Sequence, residues 1–291
     1  MSDIVHGEAK EVPEDAPLVP WWSFTKAALA GAALTLVARG ILDLDSAIAG
    51  APYSLRQLLQ HRAGLPDYGA LRAYHEAVER GETPWPRDEL LQLARADRLL
   101  FAPGTSFSYS NIGYLFVREI IEQASGLNLA DAFRALLFAP LGIDGVFLGS
   151  SRSDWQRTLW GDARGYDPGW VYHGLLIGSP SAAASLLHRL LHGPHLPVAL
   201  KEEMLAPVSV GGPFPGRPFM RPSYGLGLML DPENRLGRVA GHTGGGPGSV
   251  CAVYSFLDVP EPRTFAAFAA SEDDEAAGMV ETELLMRAAS D

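Results

Sequence analysis

Apolar positions along the chain follow two periods, one helical and one strand-like. Residues 27–38 are almost wholly apolar and predict a helix buried on every side, with Gly40 just past its end. Leu55, Leu58 and Leu59 then recur at helical spacing behind Ser54-Leu55-Arg56-Gln57, which has the form of a capping box. A further helix is predicted over 88–100. The stripe Ile112, Leu115, Phe116 and Ile120 predicts another, capped by Ser110 or Asn111 and stopped by Gly126. Asn128 opens a helix expected to end before Pro140, and Ser179-Pro180 opens one that Gly193 closes. Residues 144–172 are aromatic and glycine-rich, without a strong period, and predict a long structured loop.

The last third changes character. Segments 224–230, 235–240, 249–256 and 264–270 read as short strands separated by turn residues. An amphipathic helix over 273–289 follows, with Val280, Leu284 and Leu285 inward and Glu275, Glu281 and Glu283 in water. Ahead of the first helix there is room for one strand, around 4–12. Helices followed by strands argue against a doubly wound sheet. The pattern predicts an α+β fold, an antiparallel sheet flanked by the first and last helices with a helical lobe inserted. The expected division of this single domain, 1–291, is an α/β lobe of 1–50 plus 221–291 and a helical lobe of 51–220. The Gly/Pro-rich stretch 211–222 serves either as a mobile loop or as the crossover between lobes.

Composition narrows the partners. A chain of 291 residues suits one large domain or two lobes on a shared core. A net charge of −11 disfavours nucleic acid and anionic membrane surfaces. Cys251 is the single cysteine, which excludes an internal disulfide; its apolar neighbours mark it as a small core residue. The acidic first 20 residues lack the basic and apolar regions of a signal peptide, and 27–38 is too short to span a bilayer. A soluble, cytoplasmic protein is expected.

The candidate chemistry begins at Trp21-Trp22-Ser23-Phe24-Thr25-Lys26. Ser23 and Lys26 are spaced i, i+3 and share a face if the helix begins near Ser23. A helix N-terminus favours developing negative charge. Desolvation by Trp22 and Phe24 pushes the amine toward its neutral form, in which it can activate the hydroxyl. The structural alternative is a capping serine and a surface lysine. Against it, the chain uses only three lysines, and a first-turn lysine sits at the wrong end of the helix dipole. Tyr109-Ser110-Asn111 lies where an extended stretch enters a helix; alone it reads equally as a cap and a core tyrosine. His242-Thr243-Gly244-Gly245-Gly246 falls between two predicted strands and alone reads as a glycine-rich turn. No G-x-S-x-G and no phosphate-binding G-x-x-x-x-G-K-[ST] occurs. His75-Glu76-Ala77-Val78-Glu79 lacks the second histidine of a zinc site, so neither metal nor cofactor is expected.

Taken in order, these three motifs resemble those of the penicillin-recognising serine hydrolases: class C β-lactamases, D,D-peptidases and related esterases. The likeness covers most of the chain. It includes the segment Leu58-Leu59-Gln60-His61-Arg62-Ala63-Gly64-Leu65-Pro66, the turn Phe101-Ala102-Pro103-Gly104 and Tyr224-Gly225-Leu226-Gly227. It implies a β-lactamase/transpeptidase-like fold and a covalent acyl-enzyme. Ser23 would be the nucleophile, with Lys26 and Tyr109 handling its proton in an order left open. Asn111 would order that network. The N–H groups of Ser23 and Gly245 would form the oxyanion hole, each such donor worth about 3 kcal/mol, with Thr243 beside them facing substrate.

Two departures from the family pattern shape the expected substrate. The family usually carries lysine where His242 stands, and a histidine is mostly neutral near pH 7. Weaker selection for anions, and a shift toward neutral esters, is expected. Only 22 residues precede Ser23, where the family places a helix and two strands. The sheet is therefore expected to be N-terminally shortened, with an edge that a second subunit of a homo-oligomer could cover. Trp170, Tyr172 and His173 are further candidates for the pocket wall, followed by Asp67, Tyr68 and Trp85. The expected function is a serine hydrolase acting on small esters. The alternatives are a β-lactamase or D,D-peptidase-type amide hydrolase, and a catalytically silent binding protein on the same fold.

Overall fold

The two long strands near the C-terminus set the architecture through their alternation. Cys251, Val253, Ala266 and Phe268 belong to one apolar core, while Val250, Ala252, Tyr254, Phe256, Phe265, Ala267 and Ala269 belong to another. Side chains of period two divide in this way when both faces of a sheet are covered. The structure, a computed structural model, describes residues 4–9, 16–161, 165–271 and 276–290. Its strands are β1 (Ile4–Glu8), β2 (Val19–Pro20), β3 (Phe147–Gly149), β4 (Leu175–Gly178), β5 (Val208–Ser209), β6 (Ser223–Tyr224), β7 (Met229–Asp231), β8 (Val239–Gly246), β9 (Ser249–Phe256) and β10 (Arg263–Ala270). Seven of them form one antiparallel sheet in the order β1-β10-β9-β8-β7-β6-β5, and β2-β4-β3 form a small second sheet.

The helices are α1 (Thr25–Ala38), α2 (Leu55–Leu59), α3 (Arg72–Glu79), α4 (Arg87–Leu93), α5 (Asn111–Ser125), α6 (Leu129–Phe133), α7 (Ala139–Leu141), α8 (Arg152–Gln156), α9 (Pro180–His192), α10 (Val198–Met204) and α11 (Ala276–Ser290). Helix α11 covers one face of the main sheet with Ala276, Val280 and Leu284. Helix α9 lies on the other face, against β1, β9 and β10. Helix α1 is buried along its first three turns and packs on α5 and α9.

Local signals hold where a cap or a stop is chemically explicit. Ser54 and Gln57 form both bonds of the capping box, Ser110 caps α5 by accepting from Gly113 N, and Gly126 ends α5 at φ +69°. Several boundaries differ from expectation. The helix expected over 88–100 stops at Leu93, because the chain turns at Arg95 with φ +54°. The helix from Asn128 continues past Pro140 to Leu141 through a π-type turn, Arg134–Phe138. Its i→i+5 spacing accommodates a residue that has no N–H and would crowd the carbonyl four residues back. The loop expected over 144–172 contains β3 and α8. The strand expected over 224–230 splits into β6 and β7 around Gly225–Gly227, and β8 begins only at Val239. The first strand runs Ile4–Glu8, and residues 10–12 of its expected range lie outside the described residues. Among the described residues no helix is long and apolar enough to cross a membrane.

Candidate active site

The turn entering α1 places Ser23. Residues Trp22–Phe24 form a 3₁₀ turn that runs directly into the helix. Trp22 sits at φ +41°, a sparsely populated conformation for a bulky residue. Its indole is fixed by Nε1 donating to Ser249 Oγ at 2.9 Å and by ring contacts with Trp155 and Tyr166. Below the turn, Trp21 N donates to Leu176 O and Leu176 N donates to Thr25 Oγ1, tying the segment to β4.

Strand β8 passes close alongside. A Cβ on Gly244 would come within 2.5 Å of Ser23 N, and one on Gly246 would overlap the Trp22 ring. Glycine is therefore required at both positions by close approach. Strand β7 pairs with β8 only as far as Gly241, so the segment from Thr243 to Gly246 leaves its other edge open toward Ser23. The expected turn is thus the end of a strand, and Gly245 is its exposed residue.

Three chain segments meet at the serine. Lys26 Nζ lies 3.1 Å from Ser23 Oγ, and Tyr109 OH lies 2.9 Å from the same oxygen. Lys26 Nζ also donates to Asn111 Oδ1 at 2.7 Å and is 3.2 Å from His173 Nε2. Asn111 is oriented in turn by Asp67, which accepts from its backbone N at 2.8 Å and from its Nδ2 at 3.3 Å. Lys26 is 0% exposed. Burial pulls its pKa from the ordinary lysine value down to about 7, with the Asp67 carboxylate acting in the opposite sense. Burial pushes the Tyr109 phenol well above its usual value, although its hydrogen bond to Ser23 acts the other way. Ser23 and Tyr109 open onto a cleft of about 1060 Å³, whose walls include Tyr166, Arg217, Thr243 and Gly244 to Gly246.

His242 and the expected wall residues Trp170, Tyr172 and His173 lie off the cleft. His242 is fully buried on the same strand face as Gly244 and Gly246, behind Tyr109. Its Nδ1 is 2.6 Å from Thr243 O, an obligate acceptor, so Nδ1 carries the proton and Nε2 accepts from Tyr224 OH at 2.9 Å. Burial, then Lys26, lower its pKa to about 3. It is a neutral supporting group out of the cleft wall. Trp170 is also buried, with Nε1 donating to Glu82 O and its ring among Tyr74, Trp85 and Tyr172. Tyr68 and Tyr172 belong to the same aromatic cluster. His173 is buried too, and it meets Lys26 rather than the cleft.

Other residues had no role from sequence. His61 holds the segment on either side of Tyr109: its carbonyl accepts from Ser108 N, and its Nδ1 accepts from Ser110 N at 3.0 Å. Its ring packs on Tyr109, Tyr114 and Tyr224. Its only signal was its place in the segment 58–66. Glu281, expected in water, is 1% exposed, because it pairs with Arg217 and accepts from Thr243 Oγ1. It sits beside Val280 at the border of the apolar stripe of α11, and no local pattern marks it.

The family model described as Beta-lactamase matches residues 9–285. A penicillin-binding protein of Bacillus subtilis (strain 168) is 27% identical over 260 residues, covering 77% of this chain and 55% of that protein. A D-aminopeptidase of Cereibacter sphaeroides (strain ATCC 17029 / ATH 2.4.9) is 32% identical over 199 residues, covering 66% of this chain and 37% of that protein. The chain thus spans about a third to a half of the length of these relatives. The D-amino acid amidase from Ochrobactrum anthropi SV3, in complex with D-phenylalanine, shares the fold at a TM-score of 0.78 and 21% identity, over 100% of this chain and 93% of that one.

Proposed function

Since the chain belongs to the beta-lactamase family, we propose that it is a serine hydrolase that cleaves amides through an acyl-enzyme on Ser23. The observation that carries this reading is one hydroxyl on a cleft wall held by both a buried amine and a buried phenol. A neutral Lys26 has two N–H bonds and one lone pair. Asn111 Oδ1 and His173 Nε2 can accept both N–H bonds, which aims the lone pair at Ser23 Oγ. Lys26 is then the first base, since burial favours its neutral form near pH 7. Tyr109, kept as a phenol by burial, donates to Ser23 Oγ in the resting state.

In acylation the serine proton passes to Lys26 as Oγ attacks the carbonyl carbon. When the C–N bond breaks, Tyr109 gives its proton to the leaving nitrogen and regains one from Lys26. Water repeats the sequence in reverse and releases the acid. The N–H of Ser23 and that of Gly245, on the open edge of β8, are the donors proposed for the oxyanion.

Amides are preferred here over the small esters expected from sequence for two reasons. An amine leaves poorly unless it is protonated, and a retained phenol supplies that proton. The curated relatives include several named D-aminopeptidase. The proposed substrate is accordingly a D-aminoacyl amide or a peptide with a D-residue at its N-terminus. Incubation with a set of D- and L-aminoacyl p-nitroanilides and matched p-nitrophenyl esters tests this. Release from D-anilides by the native protein, and none by Ser23→Ala, is expected. Equal release by both proteins, or cleavage of esters alone, would overturn the amide reading.

A further inference from the structure

Beneath the open end of β8 lies a buried ionic cluster that the proposed chemistry does not use. Arg217 comes from the Gly/Pro-rich loop, and its side chain is 27% exposed on the cleft wall. Its Nε donates to Glu281 Oε2 at 2.5 Å, and its terminal nitrogen donates to Glu281 Oε1, a two-point pairing. The Glu281 side chain is 0% exposed. The same Oε1 accepts from Thr243 Oγ1. A carboxylate only accepts, so the Thr243 proton is committed to Glu281. Tyr254 OH, 2.9 Å away, then donates to the remaining lone-pair side of the threonine.

The cluster is built rather than incidental. The loop bearing Arg217 lies directly on α11 at Gly278, where a Cβ would strike the Gly216 carbonyl. Its far end is pinned by Met220 N and Arg221 N, which donate to the two oxygens of buried Asp231 at 2.9 and 3.0 Å. Arg217 is therefore held in place, and its charge is already cancelled by an anion behind the wall.

We propose that Glu281 determines specificity by disabling a carboxylate subsite: it neutralises Arg217 and takes the Thr243 hydroxyl proton, so substrates with an anionic group beside β8 are disfavoured. A carboxylate at that edge finds the Thr243 hydroxyl proton already committed, a cancelled cation and a like charge behind it. Removing the Glu281 charge leaves the Arg217 cation uncancelled and weakens the hold on the Thr243 proton, since a neutral acceptor binds it less strongly than a carboxylate. This inference rests on the hydrolase reading for the position of substrate, but it is tested by binding alone.

The ligands are a D-aminoacyl dipeptide with a free C-terminal carboxylate and the same dipeptide ending in carboxamide. Their Kd values are measured by calorimetry on Ser23→Ala protein, so that no turnover intervenes. The carboxamide is expected to bind more tightly. Adding Glu281→Gln should tighten the carboxylate ligand by about tenfold or more relative to the carboxamide. Arg217→Met, with Glu281 left in place, should widen the original preference, which keeps the idea testable if Glu281→Gln fails to fold. Kd ratios that stay the same in both variants, or no binding of either ligand to any form, would overturn the inference. A shifted ratio in a protein that cleaves neither dipeptide would overturn the hydrolase reading alone.

Discussion

At the scale of single residues, the account turns on two groups that burial pushes in opposite directions. Lys26 is moved toward neutrality, with a pKa of about 7, and Tyr109 is moved away from phenolate. The sign of the pH dependence follows. A base must be unprotonated to act, so kcat/KM should be level above about pH 7 and should fall about tenfold for each unit below it. Tyr109 acts as a phenol, so it adds no falling limb until strongly alkaline pH. A pH–rate profile on an aminoacyl anilide checks this; activity that rises as pH drops below 7 would remove Lys26 as base. The phenol's role separates from the lysine's by leaving group. Tyr109→Phe should lower kcat on an anilide by about a hundredfold or more, and much less on a p-nitrophenyl ester, whose alcohol leaves without a proton. Equal losses on the two substrates would mean that the phenol serves only to orient Ser23.

At the scale of elements, legibility followed the range of the interaction. Ser54, Ser110, Ser179 and Gly126 announced helix ends because a cap is a contact between near neighbours in sequence. Ser23 and Lys26 were readable for the same reason, one turn apart on one segment. His61 and Glu281 were not, since the partners that bury them are Ser110, 49 residues on, and Arg217, 64 residues back. His242 was readable as a motif, in the place where the family carries a lysine, but not as a buried group. Its position on β8 puts it on the same face as Gly244 and Gly246, but its ring turns to Tyr224. The glycines of β8 carry a direct test. Gly246→Ala places a methyl on the Trp22 ring. Overpacking of this kind costs about 1–3 kcal/mol, and here it also pushes on the turn that holds Ser23. Urea unfolding should show the loss of stability, and anilide turnover should fall by a larger factor than unfolding explains. A variant with native stability and native kcat would show that the close approach of β8 to the turn has no functional weight.

On the scale of the whole molecule, the site exists only when distant parts of the chain close on one another. The serine and lysine sit at the head of α1, the phenol and amide at the head of α5, and the glycine edge at the end of β8. The sheet between α9 and α11 fixes the last of these, and the packing of α1 on α5 fixes the first two. On the proposed mechanism, reactivity at Ser23 belongs to the folded chain and not to its local sequence. Intact-mass spectrometry after treatment with a fluorophosphonate measures that property directly. One adduct is expected on the folded protein at pH 8, none on Ser23→Ala and none in concentrated urea. A folded native protein that stays unlabelled, or a Ser23→Ala protein labelled to the same extent, would contradict the claim that Ser23 is an activated nucleophile.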